Sequence, residues 1–440
     1  MISIGLDVSK GYCDVGFVNH NGELLLPVFI VDDTRQGHEQ LKDKIKWVHE
    51  LSKGKKIYVG LESTGGYENN FLRSLLDLKN EYDLEIFRVN PLSLKRYSNV
   101  DLHRAKTDKT NAVDIANYIR SKDVYPIKSY SPEMKGLRNI IRRIEADTKT
   151  ESAARTNLLI LIHEVFPELI QHCGNGIPAW VLGLLCKYQC INELAEADVK
   201  EIEEIPYINN VKAGNLINMA KKSILINYDI DYLTKISIKK CCKRIMELMK
   251  DISEMKLILR KEYRRISNNK LATIDGIGDY TAAILTTFTG DVKRFLTVKK
   301  YIAFFGLDPV IKDSGDESKV RRISKKGESV VRKVLYTSVL SCLKNKKHPV
   351  TKMYYRLTQR GIHHYSAMTA CMRKLLSIVY GILNSGKDFD INYENTNKSE
   401  KQSSKSIKDK KIMKKKSESN DLEAPISKRE RNRRKKVATS

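Results

Sequence analysis

The chain has 440 residues, enough for two or three domains with real cores, and its 41% apolar content suits a globular protein. A formal net charge of +26 points first to a nucleic-acid partner and second to an anionic membrane surface. No apolar run approaches the roughly 20 residues of a membrane span, no basic-then-apolar leader opens the chain, and the eight cysteines show no Cys-x-x-Cys spacing, so a soluble intracellular protein without a disulfide framework or zinc site is expected.

The first fifteen residues read as the start of a β-hairpin. Ile2, Ile4, Leu6 and Val8 alternate with small or polar residues, and Ser9-Lys10-Gly11 supplies a turn before Val15 and Phe17. Asp7 sits in this apolar strand as a carboxylate that either faces solvent on an edge strand or has a cation as partner. A third strand is expected over Leu24–Val31, then a helix with Leu41, Ile45 and Val48 on one face, and a buried strand Lys56–Glu62 that ends in a second acid. Ser63–Gly66 is expected to cap a helix carrying Phe71, Leu72, Leu75 and Leu76, followed by a strand Leu84–Val89 and a turn at Asn90-Pro91. Strands first, then alternating helices and strands, make a mixed α/β sheet.

Asp108–Arg120 has helical periodicity through Ala112, Ile115, Ala116 and Ile119, and Asp108 and Asn111 lie three apart on one face. Asp114 follows a turn later. From about Tyr130 to Ile266 the chain is helical and polar; Ile245, Leu248, Ile252, Met255 and Leu259 form a short coiled-coil seam, facing Leu137, Ile141 and Ile144 or the same helix of another subunit. The stretch Phe166–Asp231 reads as short helices of open role. Gly276-Ile277-Gly278 joins two helices in a hairpin whose backbone N–H groups can hold a phosphate. Ser314-Gly315 leads into a polar loop ending in the basic cluster Lys319–Gly327, which suits phosphate neutralisation. Beyond Asp390 apolar residues give way to Lys, Ser, Asn and Glu, the composition of a disordered, electrostatically sticky tail.

Asp7 within one strand, Glu62 at the end of another and acids opening a helix after the last strand suggest carboxylates converging on one sheet edge. Divalent ions held there suit phosphodiester cleavage. The ordered set Gly5-Leu-Asp-Val-Ser-Lys10, Leu61-Glu-Ser-Thr-Gly-Gly-Tyr67, Asn90-Pro91, Lys106-Thr-Asp-Lys-Thr-Asn-Ala112, Ile274-Asp-Gly-Ile-Gly278, Phe305-Gly-Leu-Asp-Pro309, Ser314-Gly315, Arg322-Ile-Ser-Lys-Lys-Gly327 and Arg373-Lys-Leu-Leu376 resembles the IS110 family of transposases up to Asp390.

The resemblance implies an RNase H-like (RuvC-like) α/β domain over 1–125, a helical and coiled-coil region over 126–268, and a mostly α-helical transposase domain over 269–390 with a helix-hairpin-helix-like element, before the tail 391–440. It implies an Asp-Glu-Asp-Asp metal set for Mg²⁺ (or Mn²⁺), carried here by Asp7, Glu62 and Asp108, with the fourth place on Asn111. That amide coordinates through its carbonyl oxygen, is replaced by Asp114 or Asp101, or leaves this copy impaired. It also implies a serine nucleophile at Ser314, with Ser324 as a rival at a helix-cap position. Donor and target DNA, an element-encoded guide RNA and further copies of the chain, as a dimer or tetramer without a membrane, are the implied partners in a prokaryotic, nucleoid-associated cytoplasm. A junction-type nuclease or DNA invertase using water, and a non-catalytic RNA- or DNA-binding descendant of a transposase, are the competing functions. An actin-like sugar kinase shares the opening strand, but no later glycine-rich nucleotide loop follows.

Overall fold

A computed structural model describes residues 2–63, 65–98, 108–121, 132–174, 176–226, 228–314 and 317–392. They divide into two compact units: Met1–Glu262 with Thr289–Leu296, and Tyr263–Phe288 with the described residues from Thr297 onward.

The first unit begins with the expected antiparallel hairpin, β1 (Ile2–Ser9) and β2 (Tyr12–Val18), turning where Gly11 takes φ +91°. The third strand is shorter than expected. Leu24 makes only an isolated bridge to Val18, and β3 spans Phe29–Asp32. Pro27 explains the gap, because it has no N–H to give a ladder. Helix α1 (Arg35–Leu51) is capped by the Thr34 hydroxyl, which accepts from the Gly37 N–H at 3.2 Å. Then come β4 (Ile57–Glu62), α2 (Asn69–Leu78), β5 (Leu84–Val89), α3 (Pro91–Ser98) and α4 (Asp108–Ser121).

The sheet order is β3-β2-β1-β4-β5, with β1 antiparallel to β2 and parallel to β4. Three meandering strands continued by two parallel ones make the mixed α/β sheet that the order of elements leads one to expect. One face packs Ile4, Leu6 and Val8 against Leu41 and Ile45 of α1 and Phe71 and Leu75 of α2. Each such fully buried side chain stabilises the domain by about 2 kcal/mol relative to exposure. The other face receives α4, whose Ile115 and Ile119 join Phe87, Val89 and Leu94.

Two long helices follow, α5 (Pro132–Val165) and α10 (Tyr232–Ile266), with α6 (Ala179–Lys187), α7 (Ile191–Ala195), α8 (Val199–Glu203) and α9 (Asn210–Lys221) between them. The stretch whose role the sequence leaves open is their packing partner. Leu158 and Ile162 of α5, Leu182 and Leu185 of α6, Leu216 of α9 and Ile238, Cys242 and Ile245 of α10 share one core. The long helices touch directly where the Cys241 thiol meets the Ala154 carbonyl at 3.5 Å and Arg155 reaches the Met249 sulfur at 2.9 Å. Along α10, Ile245, Ile252 and Leu259 are buried, and Leu248 and Met255 half-buried.

The second unit contains α11 (Asp279–Thr289), α12 (Val298–Phe304), the hairpin β6 (Pro309–Ser314) and β7 (Glu317–Ile323), and α13 (Ser329–Cys342), α14 (Pro349–Gln359) and α15 (His364–Ser385). A hairpin thus replaces the polar loop expected after Ser314. Lys319-Val320-Arg321-Arg322-Ile323 pairs antiparallel with Pro309–Lys312, across a bulge at Val310/Ile311. Helix α15, with 22 residues, is long and apolar enough to cross a membrane. It buries Met368, Cys371, Leu375, Leu376 and Val379 inside the unit and carries Arg373 and Lys374, as a core helix does.

Candidate active site

Two registered rows of residues build the α4 face of the sheet. Gly16, Gly5 and Gly60 lie side by side across β2, β1 and β4. A Cβ on Gly5 would stand 1.9 Å from the Ala112 carbonyl oxygen and 2.7 Å from the Ala116 nitrogen, so α4 rests its backbone directly on the strand. The next row, two residues along each strand, is acidic. Asp14 is the cross-strand partner of Asp7, and Glu62 follows Leu61, the partner of Leu6. Asp7, Asp14 and Glu62 therefore share the face that the glycines open to α4.

Burial decides between the two readings of Asp7. It is 9% exposed and Asp14 4%, so neither carboxylate faces solvent as an edge-strand Asp would. Opposed residues of an antiparallel pair have Cβ atoms about 5 Å apart, where two like charges repel by about 3 kcal/mol at an effective dielectric near 20. Nearby, burial first, then Asp14, Asp33 and Asp7 hold the Cys13 thiol in its neutral form, so it stays a packing group. Asn111 Nδ2 donates to Asp7 Oδ2 at 3.1 Å, placing the first turn of α4 over the acidic row. With its nitrogen engaged, the amide has its oxygen as the ligating end.

Asp14 is the member that sequence reading passed over. Its signal was its place two residues before Gly16, on the inward period of β2. Asp108 opens α4, but its side chain, like Asp101, lies outside the described residues. Asp114 is on α4 one turn past Asn111 and is 8% exposed. Among the described residues no three His, Cys, Asp or Glu side chains close on one point. The donors that do gather are hard oxygens on a buried face, which fits Mg²⁺ or Mn²⁺ and not a soft ion.

The loop after Glu62 is fixed from both sides. Ser63 N–H donates to the Val89 carbonyl at 3.1 Å, continuing the β4–β5 ladder. Glu68, fully buried, pairs with Arg88 of β5, accepts the Gly66 N–H at 2.8 Å and takes the Ser63 hydroxyl at 3.5 Å. Ser63 is therefore not the expected cap of α2. That position falls to Glu68, whose side chain makes no cap bond because it is turned to Arg88. Gly65 and Gly66 take φ +76° and +124°, a conformation that side-chain-bearing residues rarely adopt.

In the second unit Ser314 is the last residue of β6, paired with Glu317 across the hairpin tip, and its side chain lies outside the described part. Ser324 is at the hairpin base. Its hydroxyl donates to the Asp308 carboxylate and its N–H to the Asp308 carbonyl at 2.9 Å. It is not a helix cap, since α13 begins after Glu328. Arg332 clamps the same turn through the carbonyls of Phe305, Lys326 and Gly327 at 3.1, 3.2 and 3.0 Å. At Gly276 the backbone takes φ +93° against Ser338 and Cys342 of α13, and what precedes it is a single 3₁₀ turn, Lys270–Thr273.

Replacing Asn111 by Asp tests the odd member of the set. Asn111→Asp is expected to tighten Mg²⁺ binding by about tenfold through one more ligand charge. Without metal it should lower the melting temperature, because Asp7 loses a donated hydrogen bond and gains a like charge. Thermal melts across a Mg²⁺ titration read both signs.

Comparison with known proteins bears on the chain as a whole. Residues 4–167 match the DEDD-type IS110 domain family described as Transposase, and residues 268–356 match the Transposase IS116/IS110/IS902 family. The insertion element IS110 uncharacterized 43.6 kDa protein of Streptomyces coelicolor is 26% identical over 27% of this chain and 29% of its own length. The pilin gene-inverting protein of Moraxella lacunata is 23% identical over 88% of this chain and 97% of its own. Among solved structures, Thermus thermophilus RuvC aligns over 29% of this chain and 100% of its own, at 16% identity and a TM-score of 0.23. The two family matches, in order along one chain, make this protein a member of the IS110 family of transposases.

Proposed function

We propose that the chain cuts and rejoins donor and target DNA through a covalent phosphodiester to Ser314, with Mg²⁺ or Mn²⁺ held by Asp7, Glu62, Asp108 and Asn111. The carrying observation is the buried Asp7–Asp14 pair under the first turn of α4, a concentration of hard carboxylate oxygens that matches a divalent cation. Asp14 is added to the ligand set on that ground.

Divalent ions bound there would supply charge stabilisation to a phosphate and to the oxygen leaving it. Ser314 Oγ would attack the scissile phosphorus and give up its proton as the P–O bond to one DNA strand breaks, which frees a DNA hydroxyl. Rejoining runs the same exchange backwards with a hydroxyl of another strand. No net phosphodiester is lost. Asn111 holds Asp7 in place by its donated hydrogen bond, and Glu68 with Arg88 holds the loop that follows Glu62.

The domain assignment that goes with this reading is a metal-binding domain over 1–125, a helical region over 126–268 whose α10 seam is buried within the chain, and a nucleophile-bearing domain over 269–390; a dimer or tetramer rests on the family resemblance alone. The net charge of +26 supports a nucleic-acid partner, and the family resemblance supports a guide RNA from the mobile element as one such partner. Prokaryotic cytoplasm is the compartment this implies. Similarity to a pilin gene-inverting protein along 97% of that protein favours a second reading, site-specific inversion by the same strand chemistry.

The test is to incubate the full chain with Mg²⁺ and DNA, trap covalent adducts, digest them and map the nucleotide-bearing residue by mass spectrometry. Ser314 is the expected residue. Metal-dependent nicking without an adduct would assign the attack to water, and an adduct elsewhere would remove Ser314 from the mechanism.

A further inference from the structure

The second unit carries a stretch with no acid in it at all. From Ser329 to Lys387 the sequence has eleven lysines and arginines and no Asp or Glu. The turn between α14 and α15 lies inside this stretch, and Gln359–Ser366 is exposed without interruption.

Aromatic rings gather at that turn. Tyr354 meets Tyr355 at 5.7 Å between centroids and His364 at 5.9 Å; His364 meets Tyr365 at 5.3 Å, and His363 meets Tyr365 at 5.6 Å. A bond between the Tyr354 hydroxyl and His364 Nδ1 at 2.8 Å ties the two helices together there. Five rings thus form one connected group, yet Tyr355 is 48% and Tyr365 66% exposed. Lone exposed aromatics are ordinary, whereas a contiguous exposed set marks a contact surface. The exposed Lys352, Arg356 and Arg360 lie on the same helix and turn.

We propose that this turn is a stacking platform for the unpaired bases of single-stranded DNA. Rings offer π-faces that every base can stack on, and the basic, acid-free stretch of sequence that carries the turn matches a phosphate backbone. Duplex DNA keeps its base faces stacked internally and would use only the charge. An acidic peptide would use the charge and leave the rings idle. An enzyme that cuts and rejoins DNA exposes single strands while doing so, which supplies the ligand. The platform uses neither Ser314 nor the acidic row, so it stands or falls apart from their assignment.

Binding of the full chain, without added metal, to a fluorescently labelled oligo(dT) of about 20 nucleotides and to a duplex of the same length tests this. Tyr355→Ala and Tyr365→Ala should each weaken oligo(dT) binding by about tenfold and duplex binding by less than about twofold. Tyr365→Phe should keep wild-type affinity, since the ring remains. Equal losses on both DNAs, or no loss in either alanine variant, would overturn the platform. Tighter wild-type binding to oligo(U) than to oligo(dT), with the same sensitivity to the variants, would overturn the DNA assignment in favour of RNA.

Discussion

Asp7→Asn is expected to lower metal-dependent strand cleavage by about a thousandfold or more, while the melting temperature of the metal-free protein stays level or rises. With Asp7 in the proposed ligand set, its neutralisation forfeits several kcal/mol of charge stabilisation in the transition state, and about 4 kcal/mol corresponds to a factor of a thousand. Stability moves the other way because Asp7 and Asp14 are buried and directly opposed. Neutralising one relieves their repulsion, and the amide oxygen of the new residue still accepts from Asn111 Nδ2. Mg²⁺ should raise the melting temperature of the wild type by mass action and leave Asp7→Asn flat. Asp14→Asn separates two roles: the relief of repulsion appears whether or not Asp14 is a ligand, but cleavage falls only if it is one. A Mg²⁺-induced shift of wild-type size in Asp7→Asn would remove the metal from this row.

What the sequence made legible follows the strength of its local signals. Alternation fixed β1 and β2 because both strands bury one complete face, Ile4, Leu6 and Val8 on one strand and Val15 and Phe17 on the other. The same alternation placed Asp7 and Glu62 but not Asp14, because an Asp beside Tyr12 and Cys13 reads as a turn neighbour until its cross-strand partner is known. Pairing is a non-local fact. The third strand was overextended because hydrophobicity at Leu24, Leu25 and Leu26 outweighed Pro27, whose missing N–H ends a ladder whatever its neighbours are. Residue type and spacing make Ser63 and Ser324 both look like helix caps. Their hydroxyls instead go to Glu68 and Asp308, acids whose positions depend on the fold around them. The stretch Phe166–Asp231 was opaque for a related reason. Apart from α9, which buries Ala213, Leu216, Ile217 and Ala220 at full helical period, its helices are too short to show one, and their apolar residues face a core shared with α5 and α10.

The glycine row turns these points into a graded prediction. Substituting alanine at Gly5, Gly60 and Gly16 should destabilise in that order, with Gly5→Ala costing about 3 kcal/mol or more, Gly60→Ala about 1–2 kcal/mol, and Gly16→Ala within about 0.5 kcal/mol of wild type. The three share a sheet face and a register, and differ in what a Cβ would meet. At Gly5 it is backbone, the Ala112 carbonyl oxygen at 1.9 Å, which cannot yield unless all of α4 lifts. At Gly60 it is the ends of Ile115 and Ile119 at 2.9 and 3.0 Å, which can change rotamer at some cost to packing. At Gly16 the nearest atoms are 3.4 Å away, ordinary contact, and alanine also reduces the entropy of the unfolded chain. Lifting α4 carries Asn111 away from Asp7, so Gly5→Ala should lose the Mg²⁺-induced stabilisation even at temperatures where the domain remains folded, while Gly16→Ala keeps it. Denaturant titrations with and without Mg²⁺ read both quantities on the same samples. A Gly5→Ala protein as stable as Gly16→Ala, still responding to Mg²⁺, would mean that α4 does not rest on the strand as described and that the acidic row is not organised by it.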